Sequence, residues 1–204
     1  MKPFLPAAAA LALALTAAAQ AADVGAMPKM ARAQGVVTAI TPTALTLAEP
    51  GGKPETIALV PDWRVSVSKR IAVEDIQPGS YLGTTNHPGP GATGVSTEIH
   101  VSPPGQTGPG VDFVMDAAAN TQMTNGTVST VVRTDGGRAL TINYGPGVRT
   151  VTVPPNIPIA LNSPGARDQV KVGQTVRVVS FLSPTGEVTR QSVTVGENGA
   201  PPPS

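Results

Sequence analysis

The chain has no cysteine in its 204 residues. Without a thiol there is no disulfide, no thiolate zinc or iron–sulfur site, no cysteine nucleophile and no diacylglyceryl anchor. Aromatic residues are scarce as well, with one Trp, two Tyr and three Phe, and only two histidines are present. Charge is sparse and balanced: the formal net charge is +1, with Lys and Arg scattered along the chain. That pattern speaks against a nucleic-acid partner, since polyanion binding leans on clustered cations and on rings that stack against bases. Past the first two dozen residues, no apolar run approaches the roughly 20 residues that cross a bilayer as a helix, so the remainder is read as not membrane-spanning.

What is present begins with Lys2 and an uncharged Ala/Leu run from Ala7 to Ala19, closing on Ala19-Gln20-Ala21-Ala22. A positive start, an apolar centre and small residues before the cut describe a secretory signal peptide over residues 1–21. The expected destination is the bacterial periplasm, and the missing cysteine means not as a lipoprotein. About 183 residues then remain, which suits one medium domain or two small ones. Gly and Pro number 22 each. Apolar alternation between these breakers points to a turn-rich β protein.

The remainder repeats itself. Gln34-Gly35-Val36-Val37 aligns with Asn125-Gly126-Thr127-Val128, and Leu45-Thr46-Leu47 with Leu140-Thr141-Ile142. A constant offset of 94 then holds: Ile57-Ala58-Leu59-Val60-Pro61 falls on Val151-Thr152-Val153-Pro154-Pro155, Val65 on Ile159, Ile76 to Gly79 on Val170 to Gly173, and Ile99-His100-Val101 on Val193-Thr194-Val195. Recurrence of apolar positions and glycines in phase is what duplicated β units require. The expected fold is all-β: two tandem small OB-like β-barrels of five to six strands each, with β-sandwich units as the alternative. The expected boundaries are a flexible N-terminal segment over 22–33, a first repeat over 34–101, a Pro/Gly-rich linker over 102–123, a second repeat over 124–196 and a disordered tail over 197–204. Single helical turns are expected at Ala72–Ile76 and Ala166–Val170.

The run Val73-Glu74-Asp75-Ile76-Gln77-Pro78-Gly79-Ser80-Tyr81-Leu82-Gly83-Thr84, with Glu98-Ile99-His100-Val101 and Met123-Thr124-Asn125-Gly126-Thr127-Val128, resembles a family of uncharacterised exported bacterial proteins with OB-like repeats. Many of its members carry the label of metal ABC transporter permease. The resemblance implies the tandem barrel fold and an envelope location. A permease needs several apolar helices to satisfy its backbone in lipid, which this sequence does not supply.

Few residues offer chemistry. His100 and Glu98 share one strand face, and with His87 they form a candidate metal set, although at the same offset these positions become Thr194, Ser192 and Phe181. Met27, Met30, Met115 and Met123 are candidate thioether ligands. Trp63, facing Ile157 at the offset, is read as core and as a candidate binding surface. Glu74 and Asp75 read as capping or solvated residues. No nucleophile elbow, Ser–Lys pair, metal-binding helix motif or phosphate loop is found. The expected function is a non-enzymatic periplasmic binding or scaffold protein, its partner an envelope protein, glycan or small ligand and any cofactor unknown. The alternative is a periplasmic metal-handling accessory protein.

Overall fold

The computed structural model describes residues 29–49 and 52–202, so the expected signal peptide, Met27 and residues 22–28 of the expected flexible segment lie outside it. The strands are β1 (Lys29–Thr41), β2 (Ala44–Ala48), β3 (Glu55–Ala58), β4 (Arg64–Arg70), β5 (Tyr81–Pro88), β6 (Thr93–Val101), β7 (Val111–Asp116), β8 (Thr121–Thr134), β9 (Gly137–Asn143), β10 (Val148–Val153), β11 (Ile159–Gly165), β12 (Thr175–Leu182) and β13 (Val188–Gly196). The fold is all-β, and its only helical pieces among the described residues are 3₁₀ turns at Val73–Asp75, Arg167–Gln169 and Glu197–Gly199. No helix there is long and apolar enough to cross a membrane.

Five strands close into a barrel. Around it run β8, β9, β10, β6 and β5, and β5 pairs back onto β8. Every pairing in the ring is antiparallel except β10 with β6, which is parallel and joins Thr150–Thr152 to Thr93–Val95. Alternation at period two turns Leu82, Ile99, Val128, Leu140, Ile142, Val151 and Val153 inward, all fully or nearly fully buried. A second core gathers Val37, Leu45, Leu47, Leu59, Trp63, Val176, Val178, Val193 and Val195 between β1, β2, β12 and β13. Here the order is β3-β2-β1-β12-β13, and no ladder joins β3 to β13 among the described residues.

Neither barrel is built from one continuous stretch. The closed one takes β5 and β6 from the expected first repeat and β8, β9 and β10 from the second; the other takes β1–β3 from the first and β12–β13 from the second. The expectation of self-contained units over 34–101 and 124–196 is corrected accordingly. The physical reason lies in β4 and β11. Val65 of β4 is buried in one core and Ile159 of β11 in the other. The two strands pair antiparallel with each other, β4 runs parallel to β13, and β11 runs parallel to β6, so each strand leads the chain away from the barrel it has just left.

The offset seen in sequence recurs in the ladders. Val65 pairs with Val193 as Ile159 pairs with Ile99, and Ser68 lies opposite Asn162, its own counterpart at 94. Gly79 and Gly173 both sit at φ near +90°, a conformation that favours glycine, and each donates its N–H at 2.8 Å to the matching carbonyl, Val128 or Val37. Asp75 and Gln169 each accept a backbone N–H three residues back, from Ala72 at 2.9 Å and Ala166 at 2.7 Å, closing the two 3₁₀ turns.

Three segments expected to be loose are ordered. Lys29–Ala33 extend β1 along β12, because Met30, Arg32 and Gln34 continue its alternation. Within the expected linker, Val111–Asp116 form β7 and pair with β8. In the expected tail, Glu197–Gly199 form a turn, Glu197 meets Lys69 at 3.6 Å, and Pro202 is buried.

Candidate binding cleft

From β8 through β5, β6, β11, β4, β13 and β12 to β1 the sheet is continuous, and its outer face can be followed across by register. Residues directly opposite in a ladder point to the same side. Met123 therefore stands beside Thr85, Thr85 beside Glu98, and His100 beside Ala160, which neighbours Asn162 on its own strand face. On the far side Ser192 stands beside Val179 and Val179 beside Arg32, with Thr194, Arg177 and Gln34 in the next row. The sheet curls back on itself so that its two ends, β8 and β1, line one cleft of about 580 Å³. Residues related by the offset of 94 line it together: Glu98 with Ser192, and Thr85 with Val179.

Glu98 and His100 form the polar wall. The imidazole Nε2 approaches Glu98 Oε1 at 2.7 Å, a short but poorly aligned contact, and the Asn162 amide nitrogen lies 3.0 Å from Nδ1. Arg177 reaches the same carboxylate oxygen at 3.6 Å. The His100 contact, followed by the positive charge of His100, Arg177 and Arg32, holds the Glu98 carboxyl below the usual carboxylate range, while burial pushes the other way. Met30, Met123, Val179 and Phe181 supply apolar surface to the same cleft, and Arg190 stacks on the Phe181 ring at 4.0 Å.

The candidate metal set is only partly assembled. Glu98 and His100 are together, but His87 pairs with Val95 at the other end of the β5–β6 ladder, where its Nδ1 lies 2.9 Å from the Asn120 carbonyl. Five residues of strand separate it from His100, on the order of 16 Å. No group of three or more His, Asp or Glu side chains gathers at metal-binding distance among the described residues. Of the methionines, Met30 and Met123 line the cleft, while Met115 lies on β7. Trp63 is 3% exposed and belongs to the core, with the Arg167 guanidinium 4.7 Å above its ring, so the expectation of a binding surface there is corrected. Arg167 also donates to the Trp63 and Pro61 carbonyls, at 2.8 Å and 2.6 Å, which fixes the covering cation in place.

Sequence reading missed the other polar centre, inside the closed barrel. Arg149 and Asp112 form a two-pronged ion pair at 2.8–2.9 Å, each side chain 9% exposed. Asp112 also accepts from Thr124, which accepts from Asn86, and Arg149 donates to the Thr93 carbonyl. One signal was available: Arg149 stands in phase with the inward-facing Val151 and Val153. For Arg32 and Arg177 no such signal exists, since each alternates with apolar neighbours as any solvated strand residue does.

Comparison of the chain with family models, with curated proteins and with solved structures finds no match. The class of the protein rests on its own topology: an all-β protein with a closed five-stranded OB-like barrel.

Proposed function

We propose that this is a non-enzymatic binding or scaffold protein of the bacterial envelope, exported by the leader over residues 1–21, and that its ligand occupies the cleft between the two barrels. The observation that carries the reading is the cleft itself, which sets Glu98, His100 and Met123 on one side against Arg177, Val179, Phe181 and Met30 on the other. Concave surfaces that mix apolar lining with a few positioned polar groups are the usual form of ligand sites.

Internal duplication is part of the same proposal. It is supported by ladders that match at one offset and by the turns after the last strand of each half, where Gln106 donates to Pro103 and Ala200 to Glu197 at 3.0 and 3.2 Å. Duplication would leave a cleft on the pseudo-two-fold axis whose walls differ in chemistry, which suits an unsymmetrical ligand.

The test is native mass spectrometry of protein purified from the periplasm. A co-purifying ligand that is lost from Arg177→Ala supports the reading. Ligand retention by that variant, or turnover of a substrate abolished by one point mutation, overturns it.

The metal-handling alternative has one observation in its favour: Glu98, His100, Met30 and Met123 line one cleft. Against it, both His100 ring nitrogens already have partners. Calorimetry with zinc and with copper(I) decides it, and the absence of micromolar binding removes it.

A further inference from the structure

Among the described residues, the first half of the chain leaves open a strand edge that the second half covers. On β8, residues Gln122–Thr127 pair with β5 on one side, while Thr121–Asn125 pair with β7 on the other. On β1, Lys29–Val36 pair with β12 on one side, and pairing with β2 on the other begins only at Val36. Gly35 faces Val176 as Gly126 faces Leu82, so Met30, Arg32 and Gln34 correspond to Thr121, Met123 and Asn125. Val37 directs its N–H and C=O to Gln174 and Gly173 on the β12 side. By alternation, Met30, Arg32 and Gln34 then direct theirs to the uncovered edge.

The covered edge shows what an occupant must carry. Asp112 of β7 lies opposite Thr124 and reaches Arg149 of β10. The residue corresponding to Thr124 is Ala33, and the one corresponding to Arg149, at the offset of 94, is Glu55 of β3. The sign is reversed, so the incoming strand needs a cation opposite Ala33. The chain supplies one itself. If Ala31 lies opposite Ala31 of a second copy in an antiparallel pair, Lys29 of each copy lies opposite Ala33 of the other, on the face of Glu55. In that register Met30 and Arg32 exchange backbone hydrogen bonds with Arg32 and Met30 of the second copy. Moving the centre by one residue sets Arg32 against Arg32, and like charges directly opposite are destabilising.

We infer that the protein forms a two-fold dimer by β1–β1 pairing at this edge, with paired Lys29–Glu55 contacts between copies. The dimer is argued from ladder register alone and holds whatever the cleft binds. Because Met30 and Arg32 also line the cleft, each copy would extend the other's cleft wall.

The test uses the processed chain in sedimentation equilibrium. A dimer is expected, with Lys29→Glu and Glu55→Lys each weakening it by roughly tenfold, and the two changes combined restoring it. The chain's lack of cysteine gives a second readout. Non-hydrogen-bonded antiparallel pairs have Cα atoms roughly 4.5 Å apart, within disulfide reach, so Ala31→Cys should oxidise to a covalent dimer far faster than Val172→Cys at an exposed site elsewhere. A monomer at all concentrations, a dimer indifferent to the charge swaps, or equal oxidation at the two sites overturns the proposal.

Discussion

The two barrels have closely matched ladders but seal their third-to-last seam in different ways. In the closed barrel, the parallel pairing of Thr150–Thr152 with Thr93–Val95 does the work, backed by Arg149 and Asp112 across the end. In the other, β3 and β13 do not pair among the described residues, and the Gln191 side chain spans the gap. Gln191, 1% exposed, accepts from the Val60 N–H and donates to the Ala58 carbonyl, both at 3.1 Å, and to the Ser180 hydroxyl at 3.0 Å. A side-chain amide has the same donor and acceptor as a peptide, so it can stand in for one rung of the missing ladder. Matched ladders therefore do not enforce matched closure: one barrel relies on backbone, the other on one residue.

The sharpest way to break this contrast is at Arg149. Arg149→Ala leaves the Asp112 carboxylate buried without its partner, and a loss of about 3–5 kcal/mol is expected in chemical denaturation. Replacing both partners, Asp112→Asn with Arg149→Met, should recover most of that loss. Gln191→Ala strands Val60, Ala58 and Ser180 together, at about 3 kcal/mol. Its signature is local: hydrogen exchange at Val60 should accelerate while the Thr150 amide in the closed seam stays protected. An equal acceleration at both amides would mean that the barrels open as one unit.

Smaller effects sharpen the comparison. Gly35 and Gly126 occupy matching places, where an added Cβ would lie 2.7 Å from the Ala48 carbonyl oxygen and 2.3 Å from that of Asn143. Each alanine variant should cost about 2 kcal/mol, with Gly126→Ala the worse by thermal unfolding, since backbone must shift in both. At Glu98 the expected effect is about 1 kcal/mol or less, the scale of partly exposed pairs. Its carboxyl is depressed in the folded state, so its contribution is present above the unfolded pKa and is lost as pH falls through the lower folded value. Glu98→Gln should flatten stability against pH on that acid limb only.

Much of this fold was legible. Paired apolar positions such as Val65 with Ile159 and Ile76 with Val170 do enter the two cores. The exchange of strands between barrels was not, because an offset shows which residues correspond and says nothing about which half of the chain supplies the partner. That choice is made by β4 and β11, whose faces read alike in either arrangement. Of the cleft, Glu98 and His100 were found through their shared strand face. Arg32 and Arg177 were not, since they face the cleft only because a curled sheet brings distant outward faces together.

Strand exchange also dictates when shelter becomes available to a growing chain. Strands β1, β2 and β3 emerge first, yet their barrel is completed by β12 and β13, near the end of the described chain. The other barrel has all its strands once β10 has appeared. Loop closure over nearly the whole sequence must precede protection of the earliest segment, which makes this a slow-forming topology. The first strands made are the last to be covered, and any factor that shelters this chain while it folds has its longest task at β1, β2 and β3.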